Sequence, residues 1–177
     1  PTDIQVVEVA LYFLPVKTRV PLKFGTEVLT EVICARTRVR VVDRTGRSAE
    51  GWGETPLSVQ WAWPSPIPYA RRSELFQDFC RQVASAWARF SEAGHPIEIG
   101  HDFQEHVLPN LLQQFNQDQP DGVAMPRLAA LVCCSPFDLA LHDAFGQLLQ
   151  QPVYETYTAG FMNRTLADLL TPDPGFE

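Results

Sequence analysis

Residues 31–42 alternate so strictly that they constrain the fold more than any other part of the sequence. Four of the five odd-numbered positions in 33–41 are apolar and the fifth is a threonine, whereas the even positions carry Arg36, Arg38 and Arg40. This period of two is typical of a strand in an antiparallel sheet that buries one face and exposes the other to water. The rest of the chain must therefore supply a layer that covers the apolar face.

Two further strands are predicted beside this one. Residues 4–13 are rich in valine and aromatic side chains, which favour strands. An Asp-Arg-Thr-Gly turn at 43–46 leads to a third strand at 49–55. Proline and glycine in and beside residues 17–26 predict a loop there. The result is a three-stranded antiparallel meander.

Two amphipathic helices follow in the sequence. Apolar residues recur at steps of three and four over 73–90, which predicts a helix that Ser73 caps and Gly94 stops. Asp102 and Glu105 have the spacing of a capping box, so a second helix is predicted from this point, with a kink at Pro109.

A third helical stretch, 126–149, is apolar on most sides and is predicted to be buried. Pro136 is expected to split it, with Ser135 capping the second part. The segment 56–69 contains two tryptophans and several prolines, and is predicted to be neither a helix nor a central strand.

Strands followed by helices indicate an α+β fold, in which a bundle of about three to four helices packs on one face of the meander. The chain has 177 residues, of which 45% are apolar, enough for one domain and a tail.

Composition excludes some partners. The net charge is −7 and no basic cluster occurs, which argues against nucleic acid and against an anionic membrane. No apolar run approaches the roughly 20 residues that span a bilayer, and no signal peptide is recognisable.

The four cysteines contain no Cys-x-x-Cys pair, so we expect buried, reduced thiols in a cytoplasmic protein.

Two motifs carry a family resemblance. The first reads Gly51-Trp52-Gly53-Glu54; the second reads Ala140-Leu141-His142-Asp143, then Gly146, then Gln151-Pro152-Val153-Tyr154. In this order they resemble the two ends of the N-terminal capping domain of the enolase superfamily, in its mandelate racemase/muconate lactonizing enzyme branch. His142 stands where that family usually has tryptophan, and Gln150 where it usually has glycine.

The resemblance implies the capping domain of a larger isomerase or lyase. In that family a (β/α)8 barrel of about 250 residues carries the chemistry: a Lys or His abstracts the proton next to a carboxylate, and Mg²⁺ stabilises the enediolate. No lysine follows Lys23. We therefore expect a capping domain at 1–155, a tail or linker towards a missing barrel at 156–177, and no catalytic residue or metal ligand in this chain. The barrel, a small carboxylate or sugar acid, and further copies of the protein are its expected partners.

The resemblance also implies that two loops close over the barrel mouth and help to choose the substrate. They correspond to residues 20–28 and 56–64 of this sequence. Closure matters in that family because excluding water strengthens electrostatic stabilisation of the enediolate. The predicted substrate-facing residues are Phe24, Thr26, Gln60, Trp61 and Trp63. For each tryptophan taken singly, packing against neighbouring elements is the alternative to a substrate-facing role, whereas the loop as a whole is expected to act as a lid.

Structural roles are favoured for the other conspicuous side chains. Glu54 is expected to brace the turn after its strand rather than to act as a catalytic acid. His101 and His106 are five residues apart and do not share a helix face, so a metal site is not favoured. His142 is expected to be a hydrogen-bonded structural histidine.

A second hypothesis is a stand-alone α+β binding or oligomerisation module that lacks a barrel. The two hypotheses differ in the surface they require. A domain that docks on a barrel should expose an apolar face in or near which Trp61, Trp63 and Tyr154 lie, whereas a module that lives alone should be polar there.

Overall fold

A computed structural model describes residues 2–24, 27–119 and 124–170 of the chain, without the side chains of Phe24 and Glu27. Its elements are, in chain order, β1 (Ile4–Phe24), β2 (Glu27–Asp43), β3 (Ser48–Pro56), α1 (Val59–Ala62), α2 (Tyr69–Trp87), β4 (Ala93–Gly94), α3 (Pro96–Asp102), a π-helical turn (Phe103–Val107), α4 (Leu108–Gln117), α5 (Arg127–Leu149), a 3-10 turn (Val153–Thr156) and α6 (Leu166–Leu169). The three long strands precede the helices, which confirms the predicted α+β class.

The strands form one antiparallel sheet in the order β3-β2-β1-β4. The alternation in β2 has the predicted consequence: Ala35, Val39 and Val41 are buried under the helices, and the arginines between them lie on the opposite face. The sheet has one strand more than the predicted meander. Residues Ala93–Gly94 pair with the start of β1, and a two-residue strand carries no sequence period that could predict it.

The hairpin of β1 and β2 is much longer than predicted. The expected loop at 17–26 is wrong up to Phe24, because β1 continues to that residue and pairs with β2 from Lys17↔Glu31 to Phe24↔Glu27, with a register shift between. Proline has no amide hydrogen, but β1 tolerates Pro15. Because β4 pairs only with Ile4 and Gln5, β1 is an open edge of the sheet at Pro15, and no neighbouring strand needs a hydrogen bond from this position.

Several predictions about the helices are also wrong. Helix α2 ends at Trp87, so Gly94, which lies in β4, does not stop it. Helix α2 begins at Tyr69 after Pro68, so Ser73 is a buried residue of its second turn and not its N-cap. The segment 56–69 contains the short helix α1. The capping box lies at His95 and Glu98 rather than at Asp102, because Asp102 continues directly into the π-helical turn and α4.

Helix α5 runs unbroken through Pro136. A proline in a helix costs a hydrogen bond, but much of α5 is packed in the core, and this tertiary packing outweighs the local penalty. By length and composition alone α5 is apolar enough to cross a membrane. However, 61% of its most apolar window is buried in this fold, as in the core helix of a globular domain.

The two sequence motifs meet each other in the structure. Gly51 and Gly53 of β3 press against α5, and a Cβ built on either glycine comes closer than 3.0 Å to main-chain atoms of the helix. Asp143 of α5 then accepts a hydrogen bond of 2.8 Å from the backbone amide of Trp52. The Gly-x-Gly spacing is therefore needed for close packing of strand on helix.

The segment after the 3-10 turn is attached to the domain through α3. The carboxylate of Glu98 accepts hydrogen bonds from the backbone amides of Asn163 (2.6 Å) and Arg164 (2.7 Å), and from the Asn163 side chain (3.0 Å). The Arg164 guanidinium adds a two-pronged contact to Asp102 at 2.9 and 2.8 Å. Residues 156–170 thus have a defined place on the domain. The domain boundary at 155 stays a prediction.

Candidate functional site

The two predicted lid segments meet at one cavity. It has a volume of about 340 Å³ and lies where the returning strand of the hairpin passes α1 and the start of α2. The residues around it are Val28, Leu29, Thr30, Glu31, Gln60 and Tyr69. Hairpin residues therefore form one recess with helix residues that lie 29 to 41 positions later in the sequence.

A second, larger cavity adjoins the first and shares Glu31 and Tyr69 with it. Its volume is about 660 Å³, within the usual range of small-molecule sites. It is lined by Pro15, Val16, Lys17, Glu31, Val32, Ile33, Tyr69, Ala70, Ser73 and Gln77. We call the two cavities together the lid groove.

The two walls of the larger cavity differ in chemistry. The hairpin supplies a mainly apolar wall, with Lys17 and Glu31 opposite each other on neighbouring strands. Helix α2 supplies Tyr69, Ser73 and Gln77, which are four residues apart and so lie on one face of the helix. Their polar groups are uncharged at neutral pH.

Of the predicted substrate-facing residues, Gln60 lies in the lid groove, and its Oε1 accepts a hydrogen bond from Ser58 at 3.2 Å. Trp61, its neighbour on α1, is 47% exposed. Thr26 and the side chain of Phe24 fall outside the part of the chain that the structure describes. A substrate-facing role for these residues stays a prediction.

Trp63 has a different position. It is only 3% exposed, and its ring stacks on Phe76 with the centroids 6.1 Å apart. Its carbonyl accepts a hydrogen bond of 2.6 Å from the buried guanidinium of Arg72. The expectation that Trp63 lies in or near an exposed apolar face is therefore wrong, and its geometry suits the competing packing role. Tyr154, by contrast, is 80% exposed.

Sequence reasoning missed the polar stripe on α2. The signal was present as a repeat of four residues at positions 69, 73 and 77. It was hidden because the helix was expected to start at Ser73, which placed Tyr69 in a loop.

Glu54 has a structural position. It pairs with Arg36 on the neighbouring strand, with 2.5 Å between Oε2 and the guanidinium. On the same outer face of the sheet, Arg38 contacts Glu8 and Glu50. Here Glu54 braces the β2–β3 pair and not the turn itself.

His95 is fully buried between α3, α5 and the 3-10 turn. Its Nδ1 accepts a hydrogen bond from the amide of Ile97 (3.3 Å), so Nε2 carries the proton and donates to Thr156 Oγ1 (2.9 Å), which in turn donates to the carbonyl of Val153. Burial, reinforced by His142 nearby, lowers the pKa of His95 to about 4. This histidine is a neutral structural group.

His142 is also a hydrogen-bonded structural histidine, as predicted: its Nδ1 donates to the carbonyl of Asp138 at 2.9 Å. Burial raises the pKa of the Asp138 carboxyl.

Within residues 2–24, 27–119 and 124–170, no group of three or more His, Cys, Asp or Glu side chains is placed to hold a metal ion. The described residues therefore do not fit a Mg²⁺ site.

The four cysteines are buried and free, as predicted. Burial raises the pKa of Cys134 to about 12 and that of Cys133 well above its usual range. Because the thiolate is the reactive form, these side chains are suited to packing and not to nucleophilic chemistry.

No family model matches the chain, and no curated protein matches it. Among solved structures it is similar to L-talarate/galactarate dehydratase from Salmonella typhimurium LT2, with a TM-score of 0.50 and 17% identity over 89% of this chain and 34% of that one. It is also similar to a member of the enolase superfamily from Roseovarius nubinhibens ISM, with a TM-score of 0.38 and 14% identity over 82% and 31%.

At such identities the likeness concerns the fold alone. The chain spans about a third of the length of these two solved proteins. In this chain the motifs at residues 51–54 and 140–154 pack together, through the two glycines of β3 on α5 and the Trp52–Asp143 hydrogen bond. The chain therefore shares its fold with about a third of L-talarate/galactarate dehydratase.

Proposed function

We propose that the chain is the capping and substrate-specificity domain of an enzyme of the mandelate racemase/muconate lactonizing enzyme branch. The complete enzyme abstracts the α-proton of a carboxylate substrate, and so acts as a racemase, epimerase, sugar-acid dehydratase or cycloisomerase. The observation that carries the proposal is the lid groove, where the hairpin and the segment with Gln60 meet in a domain of this fold.

In this proposal the chain contributes binding and not bond-breaking. The lid groove holds the part of the substrate that is remote from the reacting carbon, and closure over the barrel excludes water from that carbon. The barrel would supply the base and the Mg²⁺ ligands, and the bound metal ion would stabilise negative charge that develops on the substrate. The described residues of this chain hold the substrate in position relative to the base and the metal ligands.

The wider setting belongs to the same proposal. We expect a cytoplasmic homo-oligomer in which the capping domain supplies part of the contact surface, and neither nucleic acid nor a membrane as a partner. The net charge of −7 supports the last point, since anionic surfaces repel such a chain.

Proton exchange at carbon tests the function directly. The complete gene product is incubated in D₂O with Mg²⁺ and a panel of carboxylates that includes sugar acids, and loss of the α-proton signal is followed by ¹H NMR. We expect exchange with at least one substrate. We also expect Gln60→Ala to lower kcat/KM about tenfold, or roughly 1.4 kcal/mol of transition-state binding.

Gln82→Ala is the matched control, because Gln82 is an exposed glutamine of α2 that lines neither cavity. It should leave kcat/KM unchanged. A folded gene product that exchanges no α-proton across the panel would contradict the proposal and favour the stand-alone binding or oligomerisation module.

A further inference from the structure

The larger cavity of the lid groove has walls that select for one kind of ligand. On the hairpin side, Pro15, Val16, Val32 and Ile33 present carbon surface. On the helix side, three uncharged polar residues follow one face of α2. A ligand in this cavity must therefore cover apolar surface on the hairpin side, where Lys17 and Glu31 are the polar side chains, and offer hydrogen bonds towards α2.

The charges at the cavity cancel. Lys17 and Glu31 are cross-strand partners in the β1–β2 ladder, and both line the cavity. They contribute one positive and one negative charge, so the lining carries no net charge. An anionic group therefore gains little there, since attraction to Lys17 is offset by repulsion from Glu31.

The hydrogen-bonding groups of α2 lie along one edge of the cavity. Ser73 is 9% exposed and lines the cavity beside Tyr69. Gln77 donates through Nε2 to the carbonyl of Ser73 at 3.3 Å, which leaves its side-chain oxygen and one Nε2 hydrogen for a ligand. These groups face one side of a ligand, and the carbon surface of the hairpin faces the other.

We propose that this cavity binds an uncharged, mainly apolar distal group of the substrate, an aryl or short aliphatic group with one hydrogen-bonding function, and that it rejects polyhydroxylated groups. The proposal rests on the proposed function where it identifies the occupant as part of a substrate. A polyol in this cavity would leave the hydroxyls that face Pro15, Val16, Val32 and Ile33 buried without side-chain partners, which opposes binding.

The first arm of the test uses this chain by itself and does not depend on catalysis. Benzyl alcohol, which has an apolar ring and one hydroxyl, and erythritol, a neutral polyol, are titrated separately into the ¹⁵N-labelled chain. We expect benzyl alcohol to shift the amide signals of residues 16–17, 31–33 and 69–77, and erythritol to leave them unmoved. Equal shifts with both probes, or none with either, would overturn the proposal.

Variants connect these shifts to the cavity. Ser73→Leu fills the cavity from α2 and should weaken benzyl alcohol binding at least tenfold. Ala70→Phe does the same from an exposed position, which keeps the test valid if the buried substitution disturbs folding. Ser85→Leu is the control, since Ser85 is an exposed serine of the same helix away from the cavity. Binding that Ser73→Leu and Ala70→Phe leave unchanged would contradict the assignment.

The second arm separates this inference from the proposed function. Carboxylates with the same reacting end and either an aryl, an aliphatic or a polyhydroxylated distal end are compared in the α-proton exchange assay of the complete gene product. We expect kcat/KM to be at least tenfold higher for the aryl or aliphatic series. Exchange confined to sugar acids would overturn the inference and leave the proposed function standing. Benzyl alcohol binding without any exchange would support the cavity assignment and contradict the proposed function.

Discussion

At the scale of single residues, the closest packing that supports the fold is at Gly51. A Cβ at this position falls closer than 3.0 Å to the backbone of Ala140 and Ala144, and backbone cannot move aside as a flexible side chain can. We expect Gly51→Ala to lower the free energy of unfolding by about 3 kcal/mol or more, measured by urea denaturation.

Gly160→Ala is the control for this substitution, because the nearest atom to its Cβ is Thr158 Oγ1 at 3.6 Å, an ordinary contact. It should change the free energy of unfolding by less than about 0.5 kcal/mol. Equal stabilities of the Gly51→Ala variant and the unmodified chain would show that β3 and α5 are not packed as described.

A second residue-scale prediction concerns His95 and pH. Its pKa is about 4 in the folded chain and about 6.5 when unfolded, so between these values the unfolded chain binds more protons. The stability that the neutral imidazole contributes is therefore complete above about pH 6.5. It is lost as the pH falls towards 4, by at most about 3 kcal/mol.

The imidazole signals of His95, followed by NMR against pH, give its pKa directly. The free energy of unfolding of His95→Gln should lack the fall between pH 6.5 and 4 that the unmodified chain shows. A pKa near 6.5 for His95 would mean that this side chain is solvated and that the Nε2–Thr156 hydrogen bond does not form.

At the scale of elements, Glu98 holds residues 163–164 against α3. Its burial opposes ionisation, but hydrogen bonds from Asn163, from the His95 amide and from Arg164 outweigh that effect and lower its pKa. We expect Glu98→Gln to speed hydrogen exchange at the amides of Asn163 and Arg164 about tenfold or more, because hydrogen bonds to a charged acceptor contribute about 1.5–3 kcal/mol.

Glu105→Gln is the control, since Glu105 is exposed and contacts only Arg127, at 3.3 Å, among the described residues. It should leave the exchange of both amides unchanged. Unaltered exchange in the Glu98→Gln variant would show that the segment is held by other contacts.

The same scale shows how far the sequence predicts this fold. The period of two in β2 and the period of 3.6 in α2 are long, and both elements were predicted because many residues repeat one signal. Two prolines were wrongly taken to end regular structure. Pro15 lies on an open sheet edge, where a strand tolerates proline, and Pro136 lies in a helix that its tertiary packing stabilises. The box at His95 was missed because histidine is not among the usual capping residues.

At the scale of the whole molecule, the lid groove could not be predicted from the sequence. Its walls come from three separated segments, around residues 15–17, 28–33 and 60–77, which no local pattern links. The family resemblance located Gln60 on a lid segment. The polar stripe of α2 opposite the hairpin emerged only once the long hairpin was folded back beside the helix.

Two exposed tryptophans allow a matched test of the lid in the complete gene product. Trp61, beside the groove on α1, is 47% exposed, and Trp52, stacked on Tyr12 on the outer sheet face, is 48% exposed. If lid closure buries Trp61, Trp61→Ala should lower kcat/KM about tenfold, whereas Trp52→Ala should change it less than about twofold. Equal effects of the two substitutions would contradict a lid role for α1.

We expect these 177 residues to be one domain of a larger enzyme, and the intact mass of the gene product in its own cells tests this expectation. The polypeptide should contain this sequence and exceed 19.9 kDa by the mass of a barrel of about 250 residues. A gene product of 19.9 kDa would contradict it, and the chain would then be a binding or assembly module that lives without a barrel.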